Sequence, residues 1–498
     1  VREGDDLFAW LKGGAGTGDP AETVHQTPIA WVFVCGDRVL KAKKPVDFGF
    51  LDFTTLAQRR WATERELAFN RETAPDVYRT VHALTRAQDG ALALDGEGDA
   101  VEVVLEMRRF DTSAILANHP ERIDAALAER IGRELARVQG RAPETPDGRG
   151  AAGLDYVLRS NAGQLDSLAI ELGREAVDRL EADTRAAFER VVEVLDARRD
   201  GGFVRRCHGD LHLGNIVVED GRPIFFDCIE FSDILAEIDV LYDLAFPLMD
   251  LHFRGRTDAA SRVLAGWADA AGRTHGAERL DGLAALPLFQ SVRAAVRAHV
   301  TGHGGDLDTS RRYLEAAQKH LSASPPRLYA VGGLSGSGKS TLARAVAPRI
   351  GAPPGALVVR SDEVRKRLAG VAPTDRLPKS AYTPQTSAEV YAAMAEEARA
   401  ALRAGWSVVL DAAFLKPAER AEAEALAHVA GVPFQGLWLS ADPSVLRARI
   451  RGRTGDASDA DEAVLDTQLA RGLGEIGWRR IDATTSCITQ VEAALLPP

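Results

Sequence analysis

Residues 328–350 read LYAVGGLSGSGKSTLARAVAPRI: a short apolar run, a glycine- and serine-rich turn and an amphipathic stretch in immediate succession. The run predicts a buried strand, and TLARAVAPRI predicts a helix. Between them Gly333 to Ser340 fits G-x-x-x-x-G-K-S, in the strand-to-helix setting the pattern requires. Glycines let successive backbone N–H groups turn inward around phosphate oxygens, and the start of a helix adds a favourable dipole. Lys339 then reaches the β and γ phosphates of a nucleotide, and the Ser340 hydroxyl holds Mg²⁺. Gly333, Gly336, Ser337, Gly338, Lys339, Ser340 and Thr341 are the expected nucleotide contacts. The plain alternative is a flexible turn with an incidental lysine.

Working outward, further short apolar runs (ALVVRS, SVVLDA, FQGLWLS) alternate with helical stretches, the pattern of a parallel sheet with crossover helices. Asp411 ends one run, where a carboxylate orients Mg²⁺ through water; its ordinary reading is a strand-end cap. In VVRSDEVRKRLAG, Asp362 is expected at a strand end with Arg365 one helical turn on. A carboxylate there accepts the proton of an attacking hydroxyl, and the arginine grips a substrate anion. A helix cap with a surface arginine is the alternative. Arg447, Arg451 and Arg453 lead into a Gly- and Asp-rich loop and read as a lid over phosphates, or as a solvated basic helix. At these residues the segment resembles the small P-loop kinases, in particular polynucleotide-kinase-like and zeta-toxin-like ATP-binding domains. The resemblance implies Asp362 as base and Arg365 as substrate ligand. It does not extend to a full AAA+ ring module.

A second motif lies upstream: RRCHGDLHLGNIVVEDGRPIFFDCIEF, residues 205–231. His208, Asp210, Asn215 and Asp227 stand in it, and Asp210-x-x-x-x-Asn215 has the spacing of a protein-kinase catalytic loop. In such chemistry the first Asp positions or deprotonates the acceptor hydroxyl, while the Asn and the later Asp hold Mg²⁺ on the phosphates of ATP. Singly, each has an ordinary reading as a core histidine, a turn asparagine or a strand-end aspartate. Jointly they resemble the aminoglycoside phosphotransferase and choline kinase group of kinase-like folds, over residues 25–320. That resemblance implies a strand lysine paired with a helix glutamate. IAWVFVCGDRVLKAKKPV predicts two strands turning at Gly36-Asp37, and WATERELAFN predicts the helix. Motif position favours Lys41 with Glu66 over Glu64; Lys43 shares Lys41's strand face and rivals it. VEVVLEMRRF would supply the adenine-binding hinge near Glu106 to Arg108. Two features depart from the pattern. No Gly-rich loop directly precedes Lys41, since Gly13, Gly14, Gly16 and Gly18 lie far upstream, and KKPVDFGFLDF reads as an insert.

The chain of 498 residues exceeds one compact core. SASPPR, 322–327, cannot continue a helix and reads as a linker. We therefore expect an α+β, bilobal kinase-like domain over 1–322, a linker at 323–327 and an α/β P-loop domain with a parallel sheet over 328–498, separately folded. RAPETPDGRGAAG, 141–153, is expected to separate a smaller N-terminal lobe of the first domain from its helical lobe. The whole resembles fused aminoglycoside-phosphotransferase-like and ATP-binding proteins. Of 61 basic residues 52 are Arg, so each retained Lys stands out against an Arg-writing background. The net charge of −11 weighs against a nucleic-acid-coating protein. Cys35, Cys207, Cys228 and Cys487 show neither disulfide nor zinc spacing, which fits a reducing compartment. No apolar run is long enough for a membrane span, and VREGDDLFAWLKGG has no signal-peptide stretch, so a cytoplasmic protein is expected. The first residue is Val, consistent with an alternative start or a trimmed end.

The leading functional expectation is an ATP- and Mg²⁺-dependent phosphotransferase with two nucleotide sites acting on small-molecule hydroxyls. A regulatory ATP-binding protein with one active domain is the second reading. Nucleic acid 5′-kinase activity of the C-terminal domain is the third. Neither the acceptors nor the oligomeric state is legible.

Overall fold

The apolar runs 30–35 and 38–43 fold back on each other at Gly36, whose φ of +58° is one that L side chains rarely adopt. In the computed structural model, which describes residues 3–14, 18–49, 51–145, 148–452, 457–485 and 490–495, this hairpin is the centre of the first of two units. Gly16, Arg453 and Cys487 lie outside the described residues.

The first unit comprises residues 1–122, 142–149 and 204–238. Its antiparallel sheet contains β1 (Thr23–Gln26), β2 (Ala30–Cys35), β3 (Arg38–Lys43), β4 (Tyr78–Arg86), β5 (Leu92–Leu94) and β6 (Asp99–Arg108), in the order β1-β2-β3-β6-β4-β5. Phe33, Cys35, Leu40, Ala42, Leu84 and Val104 share one core, to which helix α1 (Glu3–Lys12) adds Leu11. Helix α2 (Leu56–Thr73) starts at a capping box between Thr55 and Gln58. It buries Arg59, Ala62, Thr63, Glu66 and Asn70, one helical face that is largely polar. Such a face stays buried only if its groups are paired. Arg59 accordingly meets both oxygens of Glu102 on β6 (2.8 and 3.0 Å). The segment read as an insert is a packed turn: Phe53 N–H donates to Val46 O (2.8 Å), and Leu51 and Phe53 are buried with Ala62. A second hairpin, β7 (Ile216–Glu219) and β8 (Arg222–Phe225), turns through Asp220 and Gly221, both at positive φ.

The second unit comprises 123–141, 150–203 and 239–498. It contains the helices α3 (Ala125–Arg141), α4 (Gly150–Asp166), α5 (Arg174–Asp200), α6 (Val240–Phe253), α7 (Thr257–Ala271), α8 (Leu286–His303) and α9 (Leu307–His320). Loop 141–153 does not separate two lobes as expected, since the helices on either side of it, α3 and α4, belong to this same unit. A Pro- and Gly-rich stretch marks irregular backbone, which need not coincide with a packing boundary.

After the linker comes an all-parallel sheet of β9 (Leu328–Gly333), β10 (Leu357–Arg360), β11 (Val408–Asp411), β12 (Phe434–Ser440) and β13 (Arg479–Asp482), in the order β10-β11-β9-β12-β13. Its crossovers include α10 (Lys339–Val346), α11 (Ser361–Leu368), α12 (Pro384–Arg403), α13 (Pro417–Ala430), α14 (Pro443–Arg451) and α15 (Glu462–Leu469). Strands β9, β10 and β11 are buried on both faces, as parallel strands under helices must be, while the edge strand β13 buries only Ile481. Within this unit Arg367 on α11 pairs with Asp269 on α7 (2.8 Å) and with Glu397 on α12. Glu397 also takes Arg279, which is 1% exposed, at 2.9 Å. Among the described residues no helix is long and apolar enough to cross a membrane.

Candidate active sites

Strand β3 points Lys41 and Lys43 to the same face, and α2 presents Glu66 to both. Lys41 Nζ donates to Glu66 Oε1 (2.7 Å) and to Asp227 Oδ1 (2.6 Å). Lys43 Nζ donates to Glu66 Oε2 (2.8 Å) and to Glu230, and lies 5.0 Å from the centre of the Phe53 ring. Lys43 and Glu66 are 1% exposed, whereas the Asp227 side chain is half exposed. Glu64 instead lies on the outer face of α2 with Arg60. The helix phase therefore selects Glu66, and both rival lysines reach it. Burial alone would depress the Lys41 ammonium, but Asp227 and Glu66 outweigh it and hold its pKa well above the ordinary lysine value. The same pairs hold Asp227 and Glu66 below ordinary carboxylates against the opposing pull of burial. Glu230, which the sequence reading did not single out, goes the other way: burial, with Glu66 nearby, raises it despite Lys43.

Asp227 sits at φ +62°, held by its own N–H on Tyr78 Oη (3.0 Å), while the following Cys228 N–H donates to Asn70 Oδ1 (3.1 Å). The loop before β7 is tied to the same backbone. His208 Nε2 bonds Phe226 O (2.9 Å), and its Nδ1 accepts from Asp210 N–H (3.3 Å). Both ring nitrogens are engaged with backbone, so His208 braces the loop that carries Asp210. Asn215 Nδ2 donates to Asp210 O (2.8 Å) and Oδ2 (3.2 Å). Its amide oxygen is thus the atom it offers to a cation. With the second oxygen of Asp227 this is a hard-oxygen donor pair that fits Mg²⁺. His212 Nε2, unremarked in the sequence, lies 3.6 Å from Asp210 Oδ2. Glu106, at the expected hinge, turns its carboxylate to Arg38, Arg79 and His82.

In the second unit the glycine-rich turn has the required backbone. Gly333, Gly336 and Gly338 take φ of +142°, +81° and +90°. A Cβ on Gly336 would stand 2.6 Å from Leu446 O. Lys339 and Ser340 open α10, with Lys339 Nζ on Leu334 O (3.0 Å); Thr341 is exposed. Ser337 Oγ is fully buried inside the turn and has no hydrogen-bond partner among the described residues. Ser335 N–H donates to Gln468 Oε1 on α15 (2.8 Å), a contact sequence spacing could not reveal.

Asp411 ends β11 and is 3% exposed, as expected of it. Its partner was not foreseen. Arg360, the last residue of β10 and in register with Asp411, donates from Nε to Asp411 Oδ2 (3.0 Å) and from Nη2 to Ser340 Oγ (2.9 Å). Oxygens from the two residues read as the metal set thus already converge on a positive group, which supports their fit to a cation. Asp362 lies in the first turn of α11, just past the strand end where it was expected. Arg365 donates to Ala381 O (2.9 Å) and Ser387 Oγ (3.3 Å) and stacks on Tyr382. Arg447 pairs with Asp466 (2.5 Å) and Arg451 with Glu462 (2.7 Å), so these two arginines of α14 are engaged by α15.

A kinase-like lysine–glutamate–aspartate cluster and a P-loop on a parallel sheet together define a protein of two phosphotransferase-type halves. Residues 55–283 match the model of the phosphotransferase enzyme family, and residues 328–472 match that of an AAA domain. Over 494 residues the chain is 33% identical to an uncharacterized protein of Mycobacterium tuberculosis, covering 94% of this chain and 93% of that one. The same figures hold for an uncharacterized protein of Mycobacterium bovis. The chain belongs to the family of these mycobacterial proteins. Among solved structures, a choline/ethanolamine kinase family protein from Mesorhizobium loti aligns at 15% identity and TM-score 0.36, over 63% of this chain and 99% of that one. A gluconokinase from Sinorhizobium meliloti aligns at 24% and 0.25, over 34% and 90%.

Proposed function

We propose that the chain transfers the γ-phosphate of ATP to hydroxyl groups of small-molecule acceptors at two sites, one in residues 1–322 and one in residues 328–498. The observation that carries this reading is Lys41 held between Glu66 and Asp227, with Asp227 tied through Phe226 to the loop of Asp210 and Asn215. An ammonium fixed this way is set for the α and β phosphates, as in kinases. Asp210, half-exposed beside Asn215, accepts the proton of the acceptor hydroxyl as that oxygen attacks phosphorus. His208 keeps the loop in register, and Asn215 and Asp227 hold one Mg²⁺.

At the second site the turn of Gly333, Gly336, Ser337 and Gly338 wraps the phosphates, with Lys339 and Thr341 beside them. Ser340 holds the metal and Asp411 stands behind it. Asp362 takes the acceptor proton, and Arg365 orients the acceptor. Arg447 and Arg451, released from α15, reach the phosphates. Mg²⁺, when bound, would offset the charge of the phosphates.

The test is a screen of sugars, nucleosides, amino alcohols and 5′-hydroxyl oligonucleotides with γ-labelled ATP. The parent chain, Asp210→Asn, Asp362→Asn and the variant carrying both substitutions are compared. Labelled acceptors divide into one set lost with Asp210→Asn and another lost with Asp362→Asn. Label transfer that survives in the double variant contradicts the reading, as does a parent chain that labels no acceptor while binding nucleotide at both sites.

A further inference from the structure

Arg360 is the residue of the P-loop half that neither motif explains. It ends an otherwise apolar strand, is 3% exposed, and its guanidinium touches oxygens from three elements. These are Ser340 Oγ at the start of α10, Asp411 Oδ2 at the end of β11 and Glu363 Oε1 on α11, at 2.9, 3.0 and 2.9 Å. The first two are the pair proposed above to serve the metal, on which this inference rests. A guanidinium is permanently charged and weakly hydrated, so it sits stably among buried oxygens. It cannot share Ser340 Oγ and Asp411 with a divalent cation, because like charges at that separation repel strongly in a buried site.

Glu363 is what Arg360 keeps if it leaves the other two. That carboxylate is itself shared. Arg344 on α10 donates to Glu363 Oε1 (3.0 Å) and pairs with Glu129 Oε1 (2.9 Å) on α3, before the linker. Glu129 also holds Arg262 (2.9 Å) and Arg133 (3.1 Å). Charges therefore alternate without a break from α3 to the phosphate turn: Glu129, Arg344, Glu363, Arg360, Asp411. We propose that Arg360 is a built-in counter-cation of the C-terminal metal position, a gate that Mg²⁺ must displace, and that Glu129 sets how readily it yields. While Glu129 draws on Arg344, Glu363 is freer to receive Arg360. Without that charge Arg344 leans wholly on Glu363, and Arg360 stays on Ser340 and Asp411.

The two ends of the chain of charges therefore act with opposite sign, which a merely structural role does not produce. In the full chain carrying Asp227→Ala to silence the first site, calorimetry with a non-hydrolysable ATP analogue is run at stepped Mg²⁺. The quantity read is the Mg²⁺ concentration giving half the maximal nucleotide affinity. Arg360→Gln lowers it by about tenfold or more, and Glu129→Gln raises it several-fold, within the range of ordinary site coupling. Arg360→Lys, which keeps the charge but not the three-way fork, falls between Arg360→Gln and the parent. An unchanged or increased Mg²⁺ demand in Arg360→Gln overturns the gate. So does nucleotide binding abolished at every Mg²⁺ level in Arg360→Gln but retained in Arg360→Lys, which makes Arg360 a phosphate ligand instead. If Arg360→Gln does not fold, Glu129→Gln decides: a raised demand supports the gate and an unaltered one overturns it. A chain with Arg360 intact that binds no nucleotide at any Mg²⁺ level overturns the second nucleotide site and the gate with it. Binding with unaltered Mg²⁺ demand in the variants overturns the gate alone.

Discussion

Glu66 takes one lysine on each carboxylate oxygen, and this double engagement separates Lys41 from Lys43. Lys43 is 1% exposed between Glu66 and Glu230, so Lys43→Met strips two buried carboxylates of their common cation. Breaking a buried pair this way costs about 3–5 kcal/mol. Lys41 also faces the half-exposed Asp227, so Lys41→Met weakens nucleotide binding at the first site more than it weakens the fold. Denaturant melts and calorimetry on both variants check the order, and the reverse order contradicts the assignment. Asp210→Asn should keep the melting temperature and lower turnover at the first site by about 10²–10⁴, the usual cost of losing a general base. Full activity of that variant would contradict its role. Acid gives a further check. Asp227 and Glu66 lie below their ordinary values of 3.8 and 4.5, so the stability they add is present above those values. It is lost as pH falls through the lower folded values. Asp227→Asn should flatten a portion of that acid limb in a stability–pH profile, and an identical limb contradicts the pairing with Lys41. The motif residues were legible because their chemistry repeats at fixed spacing. Glu230, Gln468 and Arg360 were not, because each is defined by a partner distant in sequence. The clearest trace of any of them was an arginine closing the apolar run LVVR.

Helix α2 shows what periodicity gives and withholds. Positions 59, 62, 63, 66 and 70 fall on one face, so the choice of Glu66 over Glu64 follows once the inward face is known. That the face is polar lies outside any amphipathic pattern; it is stable because β6, β3 and Cys228 supply partners. The parallel sheet was legible for the opposite reason, since its strands are continuous apolar runs between helical stretches. Loop 141–153 misled because a break in regular structure carries no information on which helices pack together. At the phosphate turn, geometry permits a sharp prediction. Gly336→Ala places a Cβ 2.6 Å from Leu446 O at φ +81°. Strain of this kind costs about 1–3 kcal/mol. Nucleotide binding should fall at the second site and hold at the first, as measured by calorimetry in the Asp227→Ala and Lys339→Ala backgrounds. Equal loss at both sites, or none, contradicts the placement of the turn.

At the scale of the whole molecule, residues before and after the linker share one unit. Buried charge pairs span the linker: Arg367 meets Asp269 and Glu397, and Arg279 meets Glu397. Arg367→Met leaves Asp269 without this partner, and a loss of about 3–5 kcal/mol is expected in a denaturant melt, as for other buried pairs. A change within experimental scatter would show that the junction is held by other means. The composition and motifs had made two nucleotide sites legible but said nothing of this junction, because the partners lie about a hundred positions apart and neither belongs to a motif. The central claim remains that the chain carries two nucleotide sites with separate residues. Calorimetric titration of the intact protein with a non-hydrolysable ATP analogue and Mg²⁺ tests it most directly. Two equivalents should bind per chain, Lys339→Ala should lose one of them and Asp227→Ala the other, each leaving its counterpart within the ~1–3 kcal/mol of coupled sites. A parent chain that saturates at one equivalent would contradict the account.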